Sequence, residues 1–248
     1  MKPFHTLAQV RTPDGAQLTL QEHDGEHYLK LNGRQLMSTM ATASELMLAE
    51  LACEKARGTN AKILIGGLGL GFSLKRVLEY VGVNAQVHVA ELIPEVVAWN
   101  REFLHDLNGA LLQDARVEVF IEDVYQIIRR SATNCQYDAI ILDVDNGPNA
   151  MVQKQNTRLY DRHGFNRISK ALSTSPPGRV TFWSAVEDRP FAHRLAQSGF
   201  KVEAHAAKSH ERAKRAAHTI YVGEKLSPQV GVDDAPPPVA ATLRANRR

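Results

Sequence analysis

The stretch Lys62-Ile-Leu-Ile-Gly-Gly-Leu-Gly-Leu-Gly71 confines this chain to a small set of folds. An apolar run ends in glycines spaced two apart, Gly67, Gly69 and Gly71, and an amphipathic segment follows at once. About 20 residues beyond the last glycine, a second apolar run, Val87-His-Val-Ala-Glu91, ends in a carboxylate. This pattern reads as a strand, a tight turn, a helix and a second strand tipped by an acid. Glycines let the backbone approach a nucleoside closely, and a carboxylate accepts both ribose hydroxyls. The segment therefore implies a nucleoside-bearing cofactor.

The rest of the chain alternates in the same way. Strands are expected over 63–66, 86–91, 117–121, 137–143 and 179–184, and helices over 43–57, 72–81, 94–106, 124–130, 156–172 and 189–197. The near-continuous apolar strands predict a parallel sheet covered on both faces. Two last strands, 200–205 and 218–224, stand too close for another crossover and should form a hairpin. The expected fold is α/β: a class I methyltransferase-like doubly wound sheet of five parallel strands plus a C-terminal antiparallel hairpin. Ahead of it, residues 1–40 give four alternating runs separated by Thr12-Pro-Asp-Gly15, His23-Asp-Gly25 and Asn32-Gly33. They predict a small N-terminal antiparallel β-meander serving as an ornament, a lid or an oligomer contact. The expected domains are thus 1–40, 41–225 and a disordered tail over 226–248, where Pro236-Pro-Pro238 stands among Ala, Gly and Asp.

Composition narrows the function classes. No apolar run approaches the ~18 residues of a membrane span, and Met1-Lys-Pro-Phe-His-Thr6 lacks the apolar core of a signal peptide. Cys53 and Cys135 form no CxxC pair, which argues for a reducing compartment and against a thiolate zinc site. The expected location is the cytoplasm, with no membrane partner. A net charge of +3 does not by itself imply nucleic acid.

Ligands of open α/β sheets bind outside the carboxyl ends of the strands. The notable residues all sit there: the glycine turn after the first strand, Glu91 ending the second, Asp123 just past the third and Asp143 ending the fourth. A strand buried on both faces has no structural use for a terminal carboxylate, because desolvating an unpaired charge is costly. Helix capping is an alternative for Asp123. In Asp143-Val-Asp-Asn-Gly-Pro148, the oxygens of Asp143, Asp145 and Asn146 suit an amine nucleophile, a divalent ion or a solvated turn. Tyr160 is a candidate wall of an acceptor pocket, and Trp183 is expected in the core. Lys208-Ser-His-Glu-Arg-Ala-Lys-Arg215 is a basic loop inside the last hairpin, either solvated or facing an anionic substrate or RNA.

With its Ile-Gly-Gly turn lacking a preceding acid, Glu91, Asp123, the strand ending in Asp143 and Leu159-Tyr160 further on, the chain resembles the spermidine/spermine synthase (aminopropyltransferase) family. The likeness runs from the meander to about Glu224. It implies decarboxylated S-adenosylmethionine as cofactor, Glu91 on its ribose, Asp123 on its adenine amine, and Asp143 taking the proton of the attacking amine. It also implies that the N-terminal meander contributes to assembly, with a homodimer expected. Two positions depart from the family pattern. Leu70 stands where an acid usually pairs with the aminopropyl ammonium, and Asn146 replaces the second acid of the loop after the fourth strand.

The expected function is transfer of an aminopropyl or other alkyl group from a sulfonium to a small-molecule amine. Gly67, Gly69, Gly71, Glu91 and Asp123 hold the cofactor; Asp143, Asp145 and Tyr160 serve catalysis. Methyl transfer from intact S-adenosylmethionine, and a non-catalytic nucleoside- or RNA-binding module, remain open alternatives.

Overall fold

The computed structural model describes residues 3–134, 137–144 and 154–226 of the chain. Four short strands come first: β1 (His5–Arg11), β2 (Gln17–His23), β3 (Glu26–Leu31) and β4 (Arg34–Ser38). They form an antiparallel sheet in sequence order. Asn32 and Gly33 both take positive φ, 48° and 78°, the hairpin geometry whose twist matches its flanking strands. Period-two alternation places Leu18, Leu20, Leu29 and Leu31 on one buried face. These leucines share a continuous apolar core with Leu48, Ile63 and Val87 of the following unit. The meander is thus packed onto the larger sheet.

That unit begins with α1 (Ala43–Cys53), which passes into a 3₁₀ turn over Glu54–Ala56. It continues with β5 (Lys62–Gly66), α2 (Phe72–Tyr80), β6 (Gln86–Glu91), α3 (Pro94–Glu102), β7 (Val117–Ile121), α4 (Val124–Asn134) and β8 (Ala139–Leu142). A 3₁₀ segment over Lys154–Leu159 leads to α5 (Arg162–Ala171), β9 (Arg179–Ser184), α6 (Arg189–Gln197), β10 (Phe200–Ala207) and β11 (His218–Lys225). The seven strands lie in the order β10-β11-β9-β8-β5-β6-β7. β5 to β9 pair in parallel, while β11 runs antiparallel to both β9 and β10. This is the α/β sheet with a terminal hairpin expected from the sequence.

Local chemistry explains where the elements begin. Pro94 opens α3 without the donor that a first helical turn cannot use. The Asp161 and Asp188 carboxylates accept the Gly164 and Phe191 N–H groups at 2.7 and 2.8 Å, capping α5 and α6. Several boundaries move inward from the sequence expectation. The Asp161 cap divides the expected helix 156–172 into the 3₁₀ segment and α5. The strand expected over 137–143 narrows to β8: Tyr137 bridges Leu172 alone, and the Asp138 carboxylate accepts the Lys62 N–H at 2.8 Å. Among the described residues, no helix is long and apolar enough to cross a membrane. Apart from Leu226, the expected tail lies outside the described residues.

Candidate active site

The carboxyl ends of β5, β6, β7 and β8 meet at one cavity, roofed by the meander. Leu18, Leu29, Leu36 and Met37 come from the small sheet. Gly67, Gly69, Glu91, Asp123 and Asp143 come from the ends of parallel strands, and Glu45 and Trp183 complete the lining together with Ile93, Val96 and Val124. Five of the residues expected in the site are therefore brought together. Gly71 is not; it is the left-handed N-cap of α2, with φ 81°. Tyr160 is not either. It is buried with its ring centroid 5.8 and 6.0 Å from those of Phe182 and Phe191, in the aromatic core beneath the sheet rather than on the cavity wall. Asp145 lies outside the described residues.

Glu91 is buried, and both of its oxygens accept backbone donors. Oε2 takes the Leu68 N–H of the glycine turn and Oε1 the Ile93 N–H ahead of α3, each at 2.9 Å. Burial pushes its carboxyl above the ordinary value, opposed by the N–H groups of Ile93, Leu68, Leu92 and Gly69. One carboxylate thus ties two loops at the cavity floor. Glu91 also lines the cavity, so its carboxylate faces whatever the cavity holds.

Asp123 lines the cavity and also caps a helix. Oδ1 accepts the Tyr125 N–H at 2.8 Å as α4 begins, and Oδ2 pairs with Arg158, whose guanidinium stacks 4.2 Å from the centre of the Tyr125 ring. Asp143 is half-buried at the end of β8. Burial, reinforced by the negative charge of Glu45, pushes its carboxyl up to about 7. The turn and β8 approach so closely that a Cβ on Gly67, at φ 91°, would stand 2.5 Å from the Asp143 carbonyl oxygen. Only glycine satisfies both the conformation and the contact.

The donor set fits a nucleoside: acids for hydroxyls and an amine, glycine backbone for close approach, and Ile93, Val96 and Val124 for the faces of a base. The model of the spermine/spermidine synthase domain matches residues 42–180, more than half of the chain. This chain belongs to the spermine/spermidine synthase family. The polyamine aminopropyltransferase of Pyrobaculum arsenaticum is 30% identical to it over 111 residues, 44% of this chain and 37% of that relative. Polyamine aminopropyltransferase 2 of Streptomyces coelicolor is 32% identical over 139 residues, 54% of this chain and 24% of that relative. The matched stretch thus spans little more than a third of these relatives at most. The spermidine synthase of Thermotoga maritima shares the fold, with a TM-score of 0.67 at 16% identity over 89% of this chain and 73% of that one. A spermidine synthase in complex with the transition-state analogue AdoDATO gives the same score, over 89% and 72%.

In this spermine/spermidine synthase family member, several site residues were not legible as such from sequence. Asn100 Nδ2 donates to the Gly69 carbonyl at 2.9 Å and Asn108 Nδ2 to the Leu70 carbonyl at 2.8 Å, so two buried amides hold the glycine turn from α3 and the loop after it. Trp183, expected in the core, lines the cavity with its ring 4.6 Å from that of His218. Glu45 is the exception, because its own helix marks it. It occupies the helical stripe of Leu48, Ala49 and Ala52, where a carboxylate has no packing reason to be. Replacing Asn108 by alanine removes the Leu70 carbonyl's buried donor. It is expected to lower stability by about 1–2 kcal/mol and to weaken nucleoside binding, checked by denaturant unfolding and calorimetry.

Proposed function

We propose that the chain is a spermidine synthase-like transferase that moves an aminopropyl group from decarboxylated S-adenosylmethionine to a small amine. The observation that carries this reading is the convergence of Gly67, Gly69, Glu91, Asp123 and Asp143 on one cavity. Glu91 and Asp123 would hold the ribose and the adenine amine, with the glycine backbone against the nucleoside. When bound, the sulfonium supplies an activated carbon and a neutral thioether leaving group. The remaining work belongs to the protein: align the amine with that carbon, exclude water, and remove one proton as the nitrogen–carbon bond forms and the carbon–sulfur bond breaks. Asp143 suits the proton step, because a base near 7 combines availability with driving force at neutral pH. The apolar roof of Leu18, Leu29, Leu36 and Met37 suits exclusion of water.

Intact S-adenosylmethionine as a methyl donor is the second reading, favoured by Leu70. Its side chain is 1% exposed within the core and does not line the cavity, so the glycine turn offers no carboxylate to an aminopropyl ammonium. The protein is accordingly expected to favour the decarboxylated form by less than about a hundredfold, or 2.7 kcal/mol. Incubation with each form and an amine, followed by mass spectrometry, tests the proposal. An aminopropylated amine supports it, a methylated amine selects the second reading, and neither product overturns both. A cytoplasmic homodimer is part of the proposal, supported by the family resemblance of the meander and by the isolated cysteines.

A further inference from the structure

The cavity carries a charge imbalance that binding a nucleoside does not explain. Five carboxylates line it, Glu45, Glu91, Glu122, Asp123 and Asp143, and among the described residues no lysine, arginine or histidine does. Three of these acids are answered by the protein itself. Glu91 accepts two backbone N–H groups, Glu122 pairs with Arg130, and Asp123 pairs with Arg158. Glu45 and Asp143 are not neutralised in this way. Glu45 is 6% exposed, and its side-chain partner is the neutral Ser44 hydroxyl at 2.7 Å. Asp143 has no side-chain hydrogen bond or ion pair among the described residues. Burial makes each of them costly to ionise, and the Glu45 charge adds to that cost at Asp143.

The sheet order divides the cavity into two halves. Glu91 and Asp123 stand at β6 and β7, on one side of the β5 glycine turn. Asp143 and Trp183 stand at β8 and β9, on the other. Helix α1 packs on that second side, where the Thr181 hydroxyl donates to the Leu48 carbonyl at 3.3 Å, and so brings Glu45 to the Asp143 half. Asp143 thus stands on the opposite side of the glycine turn from Glu91 and Asp123, and Glu45 acts on it there.

We propose that Glu45, together with Asp143, binds the ammonium group of the acceptor amine, and that Glu45 is the residue selecting a cation there. The inference rests on the transferase reading of the cavity and adds to it a residue outside the strand-end set. Glu45 is a positioning and specificity residue: it holds the ammonium beside Asp143 and leaves proton removal to that carboxylate. A single cation between the two acids relieves the repulsion between them and replaces lost hydration with charge-assisted hydrogen bonds.

The test is calorimetric titration of the full chain with 1,4-diaminobutane, with and without saturating 5′-methylthioadenosine, using butane-1,4-diol as the uncharged control. The diamine is expected to bind and the diol is not. Glu45→Gln should weaken diamine affinity by at least about tenfold and change methylthioadenosine affinity by less than about twofold. Glu45→Asp, which keeps the charge, should retain more diamine affinity than Glu45→Gln and guards against a variant that fails to fold. Undiminished diamine binding by Glu45→Gln, equal losses in both variants, binding of the diol as tight as the diamine, or no diamine binding by the parent chain would each overturn the proposal. Failure of methylthioadenosine to bind the parent chain, with the diamine pattern intact, would instead overturn the transferase reading alone.

Discussion

Asp143→Asn is expected to cut turnover by about 10²–10⁴-fold, the usual worth of a general base, while nucleoside affinity stays near the parental value. The same substitution should stabilise the protein above neutral pH. The Asp143 carboxyl is raised from 3.8 to about 7 by burial and by the nearby Glu45 charge. Because the folded value exceeds the unfolded one, this group's contribution to stability is complete below about pH 4 and is lost as pH rises through about 7. Above that point the native state carries a buried carboxylate, at a cost of at most about 4 kcal/mol. Asparagine cannot ionise, so a gain of about 1–3 kcal/mol in unfolding free energy is expected at about pH 8, and little gain at about pH 5. If the chain is the proposed transferase, its kcat/KM should rise with pH through an apparent pKa near 7, and the variant should lose that limb. Kinetics across pH and urea unfolding at the two pH values check both halves. Loss of nucleoside binding equal to the loss of turnover would move Asp143 into the nucleoside half.

Glu91→Gln carries the second large effect, and the structure changes what it should do. Sequence alone suggests loss of a ribose contact in an intact domain. The carboxylate also accepts Leu68 N–H and Ile93 N–H, however, and an amide can offer an oxygen to only one of them. Its NH₂ group would face the other donor, leaving a buried N–H unsatisfied at about 1–3 kcal/mol. The lost charge-assisted bonds to the ribose should remove roughly a further 1.5–3 kcal/mol of binding energy. Nucleoside affinity is thus expected to fall by about tenfold or more, with a measurable drop in melting temperature. Parental affinity with reduced stability would mean that Glu91 only ties the two loops together.

Much of the parallel sheet was legible because its signals are local. A buried strand reads as an apolar run that ends at its acid, so β6 falls where the sequence put it, and the alternating edge strand β7 does so too. The strand-end logic also pointed to the edge where Glu91, Asp123 and Asp143 line one cavity, because the carboxyl edge of such a sheet is where a buried acid needs a reason. What failed depends on contacts between distant segments. Tyr160 follows the strand that ends in Asp143, but its direction is set by packing on Phe182 and Phe191, which sequence spacing does not encode. Gly71 shares the spacing of Gly67 and Gly69, yet the turn closes through a Gly71 N–H to Leu68 carbonyl bond at 2.9 Å and spends that third glycine on starting α2. The meander's place as a cavity roof had no local signature. It depends on Met37 reaching Gly69, where a Cβ would collide with the methionine sulfur. Glu45 alone left a mark in its own helix, a carboxylate on an apolar stripe.

The central claim is that the cavity beneath the meander is an adenosyl-sulfonium site built on the glycine turn and Glu91. Calorimetric titration of the parent chain and of Glu91→Gln with S-adenosylmethionine and its decarboxylated form tests it most directly. At least one form is expected to bind the parent at about micromolar concentration, and Glu91→Gln should bind it at least about tenfold more weakly. Binding of neither form by a folded parent chain, or equal binding by parent and variant, would contradict the claim.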